Sequence, residues 1–126
     1  VKKLIGMGKA ILGARILVMG MTFKENVADI RNSKVVDIIN ELKDFGVEVD
    51  VVDPYADPEE VKKMYGFRLI EKPLGNYDAV VVAVAHDAYQ GLDEKYFKSL
   101  TCDKAVLVDV KGMYRDKIHE LKYWSL

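Results

Sequence analysis

The stretch Arg15-Ile16-Leu17-Val18-Met19-Gly20-Met21-Thr22-Phe23-Lys24-Glu25 decides the fold. It opens with a short apolar run that has the length of a strand and no polar alternation. Such a strand is buried on both faces, and strands of that kind belong to parallel sheets covered by helices. Gly20 ends the run, and residues 21–32 follow as a long polar loop. Beyond the loop, Val35, Ile38, Ile39 and Leu42 fall on one helical face, so residues 34–45 read as a helix. Ser33 stands where an N-cap is wanted and Gly46 where a helix prefers to end.

Working outward, the same alternation repeats. Residues 47–52 read as a second strand, closed by Asp53-Pro54. Asp57-Pro58 opens a short helix over 58–65. Residues 67–70 read as a short edge strand, 78–84 as a buried strand and 93–100 as a helix. A further strand is expected over 105–108 and a helix over 115–121, with the tail 123–126 packing on the sheet or on a neighbouring subunit. Upstream, Leu4, Met7 and Ile11 lie on one face of a short helix over 2–12. The expected architecture is α/β, a three-layer Rossmann-like sandwich with a mostly parallel sheet. One domain spans 13–126, and 1–12 is the end of an upstream helix or linker.

Composition narrows the function classes. The 126 residues are 50% apolar, and 19 basic against 20 acidic residues leave a net charge of -1. That balance carries no footprint of nucleic-acid binding. The single cysteine, Cys102, forms no internal disulfide, which fits a reducing, cytoplasmic setting. The longest apolar run, 79–85, is too short to cross a membrane, and no signal peptide is visible at the start. His86 and His119 lie far apart with no cysteine or acidic cluster at ligand spacing, so no metal site is expected. Trp124 reads as an anchor for the chain end.

In an open parallel sheet, ligands bind outside the carboxyl ends of the strands. Those ends carry Thr22-Phe23-Lys24-Glu25 with Asp29-Ile30-Arg31-Asn32-Ser33, then Asp53, then His86-Asp87, then Asp109-Val110-Lys111. The first loop lacks the clustered glycines of a dinucleotide fingerprint, and Asp53 comes well beyond the roughly 20 residues at which a ribose ligand is usual. The loop instead offers Lys24 and Arg31 ahead of a helix N-terminus, with Lys111 from another strand end. Cations beside a helix N-terminus suit a diphosphate, and Phe23 would add a stacking surface. The same charges are also satisfied by local pairs: Lys24 with Glu25, Arg31 with Asp29, and Lys111 with Asp109. His86 is expected as a rim or packing residue. Asp53 does not read as a phospho-acceptor, because no acidic pair follows the first strand.

The string Gly20-Met21-Thr22-Phe23-Lys24-Glu25, followed by Asp29-Ile30-Arg31-Asn32-Ser33-Lys34, resembles the C-terminal domain of the UDP-glucose/GDP-mannose dehydrogenase family. Asp53-Pro54-Tyr55, Asp78-Ala79-Val80-Val81 with Ala85-His86, Asp109-Val110-Lys111-Gly112 and Tyr123-Trp124-Ser125-Leu126 extend the resemblance along the chain. The wording is closest to the branch acting on UDP-N-acetylhexosamines. The resemblance implies an NAD-dependent UDP-sugar 6-dehydrogenase of surface-polysaccharide synthesis, acting as a homodimer and oxidising the sugar C6 alcohol to a carboxylate. It implies that NAD is held mainly by an N-terminal domain and that the catalytic cysteine lies upstream, so this segment alone is inactive. By carry-over, Phe23, Lys24 and Lys111 contact the UDP-sugar, and Arg31 reaches the NAD. Lys111 stands where the family often has arginine, which exchanges a bidentate fork for a point charge. A stand-alone nucleotide-binding or regulatory module is the alternative.

Overall fold

The computed structural model describes residues 14–22, 24–31 and 33–125, with the backbone alone at 103 and 104. The helix expected over 2–12, and with it the boundary at 12–13, lies outside the described residues. Strands run at Arg15–Met19 (β1), Glu48–Val52 (β2), Tyr77–Val82 (β3), Thr101–Asp109 (β4) and Lys122–Ser125 (β5). Helices run at Val35–Asp44 (α1), Pro58–Tyr65 (α2) and Glu94–Leu100 (α3), with a 3-10 turn at Asp87–Tyr89. The strands lie in the order β2-β1-β3-β4-β5, and every neighbouring pair is parallel.

The apolar run of β1 is buried on both faces, as its composition requires. Ile16 and Val18 face a core shared with Val36, Ile39 and Leu42 of α1 and Val61 of α2. Leu17 and Met19 face the other core, with Phe97 from α3. The result is the expected three-layer sandwich, with a helical layer on each face of a parallel sheet. α1 ends in a Schellman arrangement: Gly46 N–H donates to Lys43 O and Val47 N–H to Leu42 O, with Gly46 at φ 81°. α2 begins with Asp57, whose side chain accepts from Glu59 N–H at 2.9 Å, followed by Pro58.

Four expectations change. Ser33 does not cap α1: its hydroxyl donates to Met21 O at 2.5 Å, and the N-cap position falls on Lys34 without a side-chain cap. Residues 67–70 form no strand. One bond, Ile70 N–H to Val51 O, ties the segment to the outer edge of β2. β4 starts four residues earlier than its apolar core indicates, because its amino half pairs with the start of β3 across an irregular register. The helix expected over 115–121 is a series of turns and bends, and the tail becomes β5, with Trp124 opposite Val108.

Those turns are held from outside. Glu94, at the start of α3, accepts backbone N–H bonds from His119, Glu120 and Leu121. The bond from Leu121, with those from Glu120 and His119, holds the Glu94 carboxyl below the ordinary carboxylate value of 4.5. A depressed carboxylate stabilises the fold above its unfolded pKa and loses that contribution as pH falls through the folded one. Glu94→Gln should therefore lower stability near neutrality and lose less on acidification to about pH 3. Urea unfolding of both proteins at the two pH values checks this; an unchanged acid-side drop would count against the tie.

Candidate functional site: the cleft at the carboxyl ends of β1 and β3

The chain runs from β1 outward to β2, then back across to β3 on the other side of β1. The strand order therefore reverses between β1 and β3, where open α/β sheets place their ligands. Gly20 makes this crossing possible. It sits at φ 91°, and a Cβ there would lie 2.7 Å from Cβ of Val84. Only glycine allows the two strand ends to approach so closely.

A cleft of about 380 Å³ opens at this point. It is lined by Thr22, Lys24 and Glu25 after β1, Lys34, Val35 and Ile38 at the start of α1, Ala83 and Val84 after β3, and Val110 and Lys111 after β4. The structure thus brings Lys24 and Lys111 together, as the rim argument expects. It adds Lys34, which reads in the sequence as merely the first residue of a helix. Among the described residues, none of the three lysines forms an ion pair. The uncapped N-terminus of α1 borders the same space, so its first N–H groups and the helix dipole are free to meet an anion. The wall of Val35, Ile38, Ala83, Val84 and Val110 is apolar. Phe23, the expected stacking residue, lies outside the described residues.

Of the three local charge pairs, one forms. Arg31 forks onto Asp29, Nε to Oδ1 at 3.0 Å and Nη2 to Oδ2 at 3.1 Å, and holds the Asp29 carboxyl below its ordinary value. Arg31 is exposed and does not line the cleft. Tyr65 fixes the adjoining turn through a hydroxyl bond to Ile30 O. Asp109 is not Lys111's partner: it is fully buried and accepts from Met113 N–H, Tyr114 N–H and the Tyr123 hydroxyl. Lys111 is left exposed beside the cleft.

Asp53 and His86 do not line the cleft but tie together the loops beside it, a role the sequence does not announce for Asp53. Both side chains are 0% exposed. Asp53 Oδ2 accepts from Met21 N–H at 2.7 Å, Thr22 N–H at 3.3 Å and His86 Nε2 at 3.0 Å; Oδ1 accepts from Tyr55 and Ala56 N–H. The backbone donors at the first β–α turn, which a dinucleotide fold points at pyrophosphate, are spent on a carboxylate. This turn does not fit NAD. Asp53-Pro54-Tyr55 looked like a strand end, and the usable signal was an aspartate followed by proline where several loop amides need an acceptor. Cys102 lies at the amino end of β4, its Sγ 3.4 Å from Oδ1 of Asp78, at the opposite end of the strands from the cleft.

A larger hollow of about 700 Å³ lies against Met19 and Val52 and reaches Leu92 and Tyr96. Its charged lining residues are Asp53 and Glu71, with no cation, so it disfavours a diphosphate.

With this geometry in place, the comparisons are decisive. Residues 17–116 match the UDP binding domain of the UDP-glucose/GDP-mannose dehydrogenase family. The chain belongs to that family. It is 38% identical over 112 residues to UDP-N-acetyl-D-glucosamine 6-dehydrogenase of Salmonella typhi, covering 88% of this chain and 26% of the relative. It is 42% identical over 114 residues to Protein CapL of Staphylococcus aureus, covering 90% and 27%. The UDP-binding domain therefore spans about a quarter of the length of the curated relatives it matches. In fold it is similar to an NDP-N-acetyl-D-galactosaminuronic acid dehydrogenase of Methanosarcina mazei, with a TM-score of 0.82 at 23% identity, covering 98% of this chain and 26% of that one. No helix among its described residues is long and apolar enough to cross a membrane.

The load on Asp53 generates a prediction. In Asp53→Asn an NH2 group replaces one acceptor oxygen, leaving buried N–H donors unmet. The domain should lose on the order of 3 kcal/mol. Urea denaturation measures it, and a loss below about 1 kcal/mol would show that the loop finds other acceptors.

Proposed function

We propose that this domain grips the UDP moiety of a nucleotide sugar for an NAD-dependent 6-dehydrogenase. The observation that carries the reading is the cleft at the strand-order reversal, with three lysines that form no ion pair among the described residues, around a helix N-terminus without a side-chain cap. The diphosphate lies against Lys24, Lys34, Lys111 and the first amides of α1. The base rests on the apolar wall, with Phe23 as its stacking partner. The whole protein oxidises the C6 alcohol of the sugar to a carboxylate for surface-polysaccharide synthesis, as a cytoplasmic homodimer. The names of the relatives and their threefold-greater remaining length support this over a stand-alone binding module. The branch resemblance favours a UDP-N-acetylhexosamine.

NAD belongs to a separate N-terminal domain, because the β1 turn here spends its amides on Asp53. Arg31, exposed and oriented by Asp29, is the group this domain extends toward it. The catalytic cysteine lies elsewhere in the protein, Cys102 being at the wrong end of the sheet. This domain alone is inactive.

Lys24→Ala in the complete protein should weaken UDP-sugar binding by about 1.5–3 kcal/mol, the scale of a charged hydrogen bond. An unchanged KM for the UDP-sugar would remove Lys24 from the site. Arg31→Ala should raise KM for NAD and leave that for the sugar nucleotide near its original value. A change confined to the sugar KM would reverse the assignment.

A further inference from the structure

His86 is fully buried, yet nothing in the binding cleft requires a histidine there. Its hydrogen bonds define its state. Asn26 N–H donates to Nδ1 at 2.9 Å, so Nδ1 is an acceptor and carries no proton. Nε2 then carries the proton and donates to Asp53 Oδ2 at 3.0 Å, with the Thr22 hydroxyl oxygen 3.4 Å away. The Tyr55 ring, with its centroid 4.6 Å away, and the Tyr89 ring, at 5.4 Å, hold the imidazole in place.

Asn26 is the other half of the contact. It sits at φ 62°, a left-handed conformation that costs energy unless the surroundings enforce it. Two bonds enforce it: its N–H to His86 Nδ1, and its side-chain Oδ1 accepting from Asp87 N–H at 2.8 Å. Nearer to β1, Thr22 closes the same turn by donating from its hydroxyl to Lys24 O at 2.9 Å. The turn bearing Lys24 is thus fastened before it by Thr22 and Asp53 and after it by Asn26 on His86 and Asp87.

We infer that His86 is the positioning residue of the UDP-binding loop, its Nδ1 clipping Asn26 so that Lys24 is held over the cleft before ligand arrives. The inference rests on the proposed function of the cleft. Preorganisation of this kind raises affinity by removing the cost of ordering the loop on binding. The two ring nitrogens have separable jobs. Nδ1 serves the loop, and Nε2 serves Asp53, which keeps four backbone N–H donors without it.

Two isosteres separate these jobs in the complete protein, titrated calorimetrically with UDP-N-acetylglucosamine. In H86N the side-chain oxygen takes the place of Nδ1 and keeps the acceptor for Asn26. In H86Q the side-chain amide takes the place of Nε2 and keeps the donor to Asp53 while losing the loop acceptor. H86N should bind within about threefold of wild type, and H86Q should bind roughly tenfold more weakly, the scale of one lost hydrogen bond. Urea midpoints of both variants, matched to each other, show that the difference is not one of folding. H86Q binding as tightly as wild type, or both variants weakening alike, overturns the clip alone. Failure of the wild-type protein to bind overturns the functional reading, and the clip's role with it.

Discussion

A buried carboxylate without a lysine or arginine beside it is costly unless hydrogen bonds replace the water it has lost. Asp53 is such a group, and the loops around the cleft are arranged to supply those bonds. It draws Met21 and Thr22 from one loop, Tyr55 and Ala56 from another, and His86 from a third. Three strand ends are thereby fixed to one point. The course of the Lys24 turn, the approach of Gly20 to Val84 and the placement of His86 all depend on it.

Asp109 repeats the device at the end of β4. It takes two backbone donors and the Tyr123 hydroxyl, joining the Lys111 turn to β5. The two carboxylates perform structural work with neutral donors. Among the described residues the lysines at the mouth form no ion pair, so on the proposed reading an incoming anion would have none of these to break. Arg31 differs, since its fork is already committed to Asp29. Its charge is oriented and partly neutralised by that pair.

The layered sheet was legible because β1 and β3 are apolar on both faces and the helix stripe of α1 is regular. The cleft was legible through Lys24 and Lys111, whose positions follow from strand polarity alone. Other features depended on contacts distant in sequence. Ser33 has the chemistry of a cap, but Met21 O competes for it. The segment 115–121 has helical composition, yet Glu94, more than twenty residues earlier, binds its amides and holds an irregular path. Lys34 lines the cleft from the start of α1, a placement that its position at the head of a helical stripe does not reveal. Asp53 and His86 are legible as neighbours on one rim, but their direct bond is not, since it depends on the register of β2, β1 and β3.

The open start of α1 has a thermodynamic consequence. No side chain caps it at Lys34, and on the proposed reading the diphosphate takes the place of such a cap. A ligand held there would supply part of the domain's cohesion, because whatever binds only the folded state stabilises it by an amount that grows with the logarithm of free ligand above its dissociation constant. If the proposed grip is right, the domain grows more durable as free sugar nucleotide rises above its dissociation constant.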